Sequence, residues 1–229
     1  MGPTGVRMRL DENDTVMMVT EGFGAAYLRA VGPVMRQKKT RVLHVALYDR
    51  AEDMYLQDQL EAASDATLWI TKQGTPIKPR RAQDRSATGE AVDIVRRYAD
   101  GEFGAPAIPL KDVKRLLLQA STCTVREFRH ARENELAVFF PTRPETMASI
   151  STPIQCGLKG VCSQCLQWQI DPITGRRTKA VFGCSWQDEP VDIVDIDNLE
   201  QRLAQNRLQE HLTNLWLDHL FAQKAVSRI

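Results

Sequence analysis

Apolar runs alternate with stretches of helical periodicity along the first two thirds of the chain. Residues 15–20 form a mostly apolar run that ends in the turn Glu21-Gly22-Phe23-Gly24, and apolar side chains then recur at helical spacing over residues 25–35. This succession predicts a strand, a glycine turn and a helix. Further predicted strands are 41–47, 66–71, 113–118 and 137–140, and further predicted helices are 51–63, 89–98 and 124–133. The alternation predicts an α/β fold with a parallel sheet.

The composition changes at residues 141–153, which are rich in proline, serine and threonine. We place a domain boundary there. The predicted organisation is a nucleotide-binding-like domain at 1–145, a small cysteine-rich module at 146–196 and a C-terminal helix at 197–229. Within the module, the strand-like segments on either side of residues 171–175 predict a β-hairpin.

The C-terminal segment carries a leucine stripe compatible with one long helix, and Asp197, followed by Glu200, is its predicted N-cap. The stripe consists of Leu199, Leu203, Leu208, Leu212, Leu215, Trp216 and Leu220. Such a stripe packs either on its own domain or on a partner protein.

Charge and hydropathy narrow the class of protein. Thirty basic and 29 acidic residues leave a net charge of +1 over 229 residues, which gives no basic field for nucleic acid. The apolar runs are far shorter than the roughly 20 residues of a membrane helix. The first seven residues lack the pattern of a secretory signal, so we expect a soluble cytoplasmic protein with no membrane span, whose cysteines are thiols or metal ligands.

Four of the five cysteines are crowded together in the pattern Cys156-x5-Cys162-x2-Cys165-x18-Cys184. The plant-type pattern for a 2Fe-2S cluster is C-x4-C-x2-C with a distant fourth cysteine, which is one residue shorter in the first gap. Structural zinc sites instead commonly show two short paired spacings. We assign these cysteines as ligands of a 2Fe-2S cluster, with zinc and unmetallated cysteines as the alternatives.

Glycines within this loop suit a metal cluster. Gly157 and Gly160 permit backbone turns that a side chain would obstruct, and they expose amide hydrogens that can bond to the sulfides of a cluster. Cys123 stands apart from the group, and the four histidines show no ligand-like spacing.

The cysteine segment and the glycine turn resemble the electron-transfer subunit of dihydroorotate dehydrogenase, in the ferredoxin-NADP reductase superfamily. The turn at residues 22–26 matches the family's glycine-rich turn, residues 48–53 are similar to its adenosine-side segment, and the module after Asp171 resembles the tail of glutamate-synthase-like flavoprotein fusions. The resemblance implies that Gly22 and Gly24 face a phosphate of NAD(P)H and that Arg50 reaches its adenosine end.

Two features depart from that family. The family begins with a flavin-binding barrel, whereas at most 14 residues precede the first predicted strand here. FAD or FMN is therefore expected from a partner flavoprotein subunit or from a preceding region of a longer polypeptide. In addition, Glu21 places a carboxylate where phosphate would bind, and residues 119–123 replace the family's Gly-Pro-like turn.

The predicted function is electron transfer in a flavin-dependent oxidoreductase. Single electrons would pass through the 2Fe-2S cluster between a flavin held by a partner and an acceptor. If the nucleotide site works, that flavin would in turn be linked to NAD(P)H. No acid or base side chain is assigned a catalytic role. The alternative is a non-catalytic assembly subunit with a structural zinc site.

Overall fold

The computed structural model describes residues 10–153, 155–205 and 207–223. Its strands are β1 (Thr15–Glu21), β2 (Arg41–Tyr48), β3 (Ala66–Thr71), β4 (Arg85–Thr88), β5 (Arg115–Ala120), β6 (Glu145–Ile150), β7 (Leu166–Ile170), β8 (Arg177–Phe182) and β9 (Glu189–Pro190). Its α-helices are α1 (Ala25–Gln37), α2 (Gln57–Ala63), α3 (Ala91–Ala99), α4 (Thr122–Ala131), α5 (Ile196–Ala204) and α6 (Arg207–Ala222). The predicted α/β class with a mostly parallel sheet is confirmed.

The central sheet has the strand order β4-β3-β2-β1-β5-β6-β9. Every pairing in it is parallel except that of β6 with β9. The chain runs outward from β1 through β2, β3 and β4, and then returns to β5 on the other side of β1. The order therefore reverses between β1 and β5, and in such sheets ligands bind outside the carboxyl ends of the strands at this switch point.

The sheet separates two apolar layers, which is why its strands are apolar on both faces. Along β1, Met17 and Val19 face the layer that contains α3 and α4, while Val16 and Met18 face the layer that contains α1 and α2. All four of these side chains are fully buried. The strand ends that form the switch point are thus held by a rigid core.

One predicted strand is wrong. Residues Ala137–Phe139 form a short 3-10 helix in which Val138 is 83% exposed, and the strand beside β5 is instead β6. The apolar run misleads because Phe139 and Phe140 pack against the core from a turn. Strand β4, which carries no large apolar side chain, is not among the predicted strands.

The proposed boundary between residues 145 and 146 falls inside β6, all six residues of which pair with β5. The cysteine-rich segment follows β6 and contains the predicted hairpin, formed by β7 and β8. It then returns to the sheet through β9, which pairs with Met147 and Ala148. The segment after residue 150 is thus joined to the sheet by this two-residue strand. The division into domains remains a prediction.

The C-terminal segment contains two helices where one was predicted. The N-cap is Asp195, whose side chain accepts a hydrogen bond from the backbone of Asn198, and α5 ends at Ala204. Leu199 is fully buried, whereas Leu208, Leu212, Leu215 and Trp216 on α6 are each more than half exposed. Residue 206 and residues 224–229 of the predicted helix lie outside the described residues. Within the described part of the chain, no helix has both the length and the apolar character needed to span a bilayer.

Candidate functional site

Two adjoining cavities lie at the carboxyl ends of the central strands. The larger has a volume of about 340 Å³ and the smaller about 210 Å³. Four residues line both of them: Glu21, Leu47, Tyr48 and Lys72. These residues end β1 and β2 or directly follow β3, so the parallel register of the three strands brings them to one edge.

Glu21 lies at the switch point and makes bonds that an anionic ligand would otherwise make. One carboxylate oxygen accepts hydrogen bonds from the Ser121 backbone N–H at 2.9 Å and from the Thr124 hydroxyl at 3.0 Å, both at the start of α4. The other oxygen pairs with Lys72 Nζ at 3.0 Å. Helix N-termini and lysines are common phosphate-binding groups, so Glu21 occupies a potential phosphate site.

Glu21 remains ionised at neutral pH. Burial by itself would raise its pKa, but the hydrogen bonds from Ser121 and Lys72 outweigh burial and hold the pKa below the ordinary value. The carboxylate is therefore a fixed negative charge at the edge of the sheet.

At the start of α1, Tyr55 occupies a backbone hydrogen-bond donor in a similar way. Its hydroxyl accepts a hydrogen bond from the Ala26 N–H at 3.1 Å and donates to the Phe23 carbonyl at 2.9 Å. The Phe23 ring, 90% exposed, lies beside the Tyr55 ring with 6.0 Å between centroids. Aromatic side chains thus lie beside the turn whose glycines were expected to face a phosphate.

The residues predicted to bind a nucleotide do not lie together in one cavity. Gly22 lines the larger cavity at φ +52°, whereas Gly24 serves packing, since a Cβ there would lie 2.4 Å from the Gln119 carbonyl oxygen on β5. Arg50 is exposed and is absent from the residues that line either cavity. Cys123 lines the smaller cavity, where its thiol bonds to Glu127 at 3.2 Å.

Sequence reasoning identified Glu21 and, through the resemblance, residues 48–53, but it missed Tyr55 and Lys72. The position of Lys72 directly after an apolar strand was an available signal, because carboxyl ends of parallel strands meet at one edge. No local pattern marks Tyr55, whose loop is brought to the start of α1 by the tertiary fold.

The four predicted metal ligands lie as two pairs. Backbone N–H groups of Cys162, Val161 and Lys159 donate to the Cys156 sulfur and lower the pKa of that thiol to about 6, and the Cys162 side chain adds to this effect. Left-handed backbone at Gly157 (φ +57°) and Gly160 (φ +67°) shapes this loop. The loop therefore presents amide donors from residues 159, 161 and 162 to the Cys156 sulfur, whereas bonds from the loop to the sulfides of a cluster remain a prediction.

Cys165 and Cys184 form the second pair, and both are buried. Burial raises the pKa of the Cys165 thiol, and its contact with the Cys184 thiol acts in the same direction. Over the described ranges, no group of three or more His, Cys, Asp and Glu side chains is arranged to hold a metal ion. The assignment of all four cysteines to one centre remains a prediction.

A buried carboxylate anchors the hairpin that follows Cys165. Glu189 is 1% exposed and accepts hydrogen bonds from the side-chain amides of Gln167 at 2.6 Å and Gln169 at 2.9 Å. Because Glu189 lies on β9 and both glutamines on β7, this network ties the hairpin that follows Cys165 to the central sheet.

Asp188 joins the cysteine-rich segment to two further elements. Its carboxylate accepts hydrogen bonds from the Tyr27 hydroxyl on α1 at 2.6 Å and from the Ser149 hydroxyl on β6 at 3.0 Å. Nearby, a third cavity of about 260 Å³ extends from Phe23 and Gln119 to Gly183. This cavity connects the switch point with the residue that precedes Cys184.

Comparison with solved structures identifies the fold. The chain superposes on a structure of an NADH-dependent reduced ferredoxin-NADP oxidoreductase, described in work on flavin-based electron bifurcation, with a TM-score of 0.61. The match covers 95% of this chain and 67% of that chain, at 18% sequence identity. The two proteins share a fold.

Sequence comparisons match a smaller part of the chain than the structural comparison does. No family model matches the chain. An uncharacterized protein of Rickettsia prowazekii (strain Madrid E) is 36% identical over 84 residues, which are 37% of this chain. The match spans 11% of the length of that protein.

Proposed function

We propose that this chain is an electron-transfer component of a flavin-dependent oxidoreductase and that its cysteine-rich segment carries a 2Fe-2S cluster. The observation that carries the proposal is the arrangement of four cysteines as two pairs, one of them in a loop whose amides point at sulfur. The fold shared with an oxidoreductase described for flavin-based electron bifurcation supports it.

The donor set suits a two-iron cluster. Cys156 and Cys162 would hold one iron and Cys165 and Cys184 the other, since a 2Fe-2S cluster takes four cysteine thiolates. Such a cluster supplies transfer of one electron at a time. The amide donors at residues 159, 161 and 162 would stabilise negative charge on the sulfur of Cys156, and the burial of Cys165 and Cys184 would exclude water.

A partner subunit or a preceding region would hold the flavin. The cavity between Phe23, Gln119 and Gly183 supports this part of the proposal because it opens one residue from Cys184. Its other lining groups include the hydroxyl-bearing Ser149, Ser151 and Thr152. Polar side chains of this kind can orient a cofactor presented by another domain.

We propose that the nucleotide-binding-like part of the chain positions the cysteine-rich segment and does not itself bind NAD(P)H. Glu21 already takes the donors at the start of α4, and Tyr55 takes the Ala26 amide at the start of α1. A pyrophosphate at this edge would meet the Glu21 carboxylate, and like charges at close range repel.

The cluster is tested by spectroscopy of anaerobically purified protein. We expect visible absorption that bleaches with dithionite, a low-temperature EPR signal from the reduced protein, and equal amounts of iron and acid-labile sulfide. Cys162→Ser should abolish the signal. Cys123→Ser is the matched control, because that exposed cysteine lies on α4 and should leave the spectra unchanged. A colourless protein that contains zinc would overturn the proposal and favour a structural metal.

A further inference from the structure

The side chain of Arg202, on α5, reaches the loop that carries Cys162 and Cys165. One guanidinium nitrogen donates to the Ser163 carbonyl at 2.9 Å, and the other donates to the Leu166 carbonyl. Each of these carbonyls belongs to the residue that directly follows a predicted metal ligand. Because a planar guanidinium holds two acceptors in a fixed geometry, Arg202 ties both ends of this short segment together.

The backbone of this loop adopts a conformation that benefits from such support. Ser163 lies in the left-handed region at φ +57°, which is uncommon for a residue with a side chain. Its carbonyl also accepts a hydrogen bond from the Leu166 N–H at 3.2 Å, which closes the turn around Cys165. Arg202 therefore binds the loop at a residue whose backbone conformation costs energy by itself.

Helix α5 is held in place, so the fold sets the position of Arg202. Ile196 belongs to the apolar core, and Leu199, one turn before Arg202, is fully buried. The N-cap of the helix, Asp195, pairs with Arg177 on β8 at 3.0 Å. The guanidinium is thus presented to the cysteine loop by an element that is fixed to the core and to the hairpin.

The positive charge of Arg202 is bonded to neutral carbonyls. Arg202 and Cys162 line one cavity of about 250 Å³ beside the loop. Glu210 also lines that cavity, but in the described part of the chain the hydrogen bonds of the Arg202 guanidinium go to backbone oxygens. A guanidinium stays protonated in proteins, so this charge is constant across the working pH range.

We propose that Arg202 is a positioning residue for the redox centre: it holds the loop of Cys162 and Cys165, and its charge favours the reduced state. This inference rests on the proposed function, because it requires the 2Fe-2S cluster. Reduction adds one electron, and therefore one negative charge, to a centre that already carries four thiolates. A nearby cation lowers the free energy of the reduced state more than that of the oxidised state, which raises the midpoint potential.

The test is a redox titration of the anaerobic full chain with dithionite, in which each cluster takes up one electron, followed by visible absorption and EPR. Arg202→Gln removes the charge and should lower the midpoint potential. The expected shift corresponds to at least a threefold change in the equilibrium constant, or about 28 mV for one electron.

Arg202→Lys separates charge from geometry. It keeps the positive charge, so the midpoint potential should return to the native value. Lysine cannot hold both carbonyls with one planar group, so this variant should still lose iron to a chelator faster than the native protein does.

Arg36→Gln is the matched control, since it also removes one positive charge. Arg36 lies at the end of α1, just before β2 begins, and pairs with Asp65 at 2.7 Å. This is the amino edge of the sheet, whereas the cysteine-rich segment follows the carboxyl end of β6. Salt screens exposed charges over such a separation, so both the potential and the rate of iron loss should equal those of the native protein.

An unchanged potential in Arg202→Gln would overturn the inference. So would an equal lowering of the potential in Arg202→Gln and Arg202→Lys, or in Arg202→Gln and Arg36→Gln. If Arg202→Gln holds no iron, Arg202→Lys decides. Retained iron with a native potential would then support the inference, and loss of iron from both variants would overturn it.

Assay of iron and acid-labile sulfide in the native protein separates this inference from the proposed function. Iron and sulfide in the native protein, together with any of the contrary results above, would overturn the role of Arg202 alone. Zinc in place of iron would overturn the proposed function and the role of Arg202 with it.

Discussion

A single carboxylate, that of Glu21, joins the end of β1 to the start of α4 and to the residue after β3. Its place at the switch point could be predicted because it follows an apolar strand and precedes a glycine. Its partners could not, because Ser121 and Lys72 are 100 and 51 residues away and reach it only when the parallel strands are in register.

His44 on β2 is the residue whose protonation bears most directly on stability. It is fully buried, and burial, followed by the charge of Arg81, lowers its pKa to about 3. Its Nε2 shares a hydrogen bond with the Thr20 hydroxyl at 2.8 Å. The folded protein therefore keeps His44 neutral at pH values where the unfolded chain binds a proton.

Stability should fall as the pH drops below the unfolded pKa of about 6.5. Between pH 7 and 5.5 we expect His44 to account for a loss of about 1 kcal/mol in the free energy of unfolding. His44→Gln does not titrate and should remove that part of the slope in urea titrations. His130→Gln, at an exposed histidine, is the control. An unchanged slope in His44→Gln would show that His44 does not carry the effect.

At the scale of elements, the sequence predicted what depends on local pattern. Strands β1, β2, β3 and β5 are apolar runs, and they were found within two residues of their ends. Strand β4 (Arg85–Thr88) was missed because it forms by pairing with β3 at the sheet edge, with side chains that are half-buried or exposed. Strand β6 was missed because proline and serine near it suggested a linker.

The leucine stripe divides between α5 and α6. Replacing a leucine by alanine should change the free energy of unfolding by different amounts in the two helices. Leu199→Ala should cost about 2–5 kcal/mol because the side chain is fully buried. Leu212→Ala, at a residue that is 55% exposed, should change the free energy of unfolding by less than about 0.5 kcal/mol. Chemical denaturation of both variants measures the difference. A comparable loss at Leu212 would mean that this face is covered in solution.

At the scale of the whole molecule, an ion pair with a buried arginine connects the end of α4, which packs on the parallel sheet, to the cysteine-rich segment. The Arg132 side chain is 1% exposed and pairs with Asp192, which lies just after β9. Arg143 also pairs with Asp192, at 2.9 Å. Local sequence did not indicate this connection, because Arg132 and Asp192 lie 60 residues apart.

Asp192→Asn should lower the free energy of unfolding by about 1–3 kcal/mol, because it leaves Glu133, at 3.3 Å, as the remaining partner of the buried Arg132 charge. Protection against amide hydrogen exchange should be lost in β2 and β7 at the same denaturant concentration, since the pair joins α4, which packs on the sheet, to the turn after β9, and Glu189 on β9 is bonded to β7. Asp197→Asn is the control: Asp197 also pairs with an arginine but is 80% exposed. Separate loss of protection in the two strands would contradict the connection.

The hydrogen bonds that Asp188 accepts limit how far Cys184 can move. Cys184 precedes this anchor by four residues, and a fully extended stretch of that length reaches about 14 Å. The tether is too short for Cys184 to move as a swinging arm between distant docking points. Under the proposed function, a redox partner would have to come to the cysteines, and the position at which it binds against the end of the sheet would set the distance that an electron crosses.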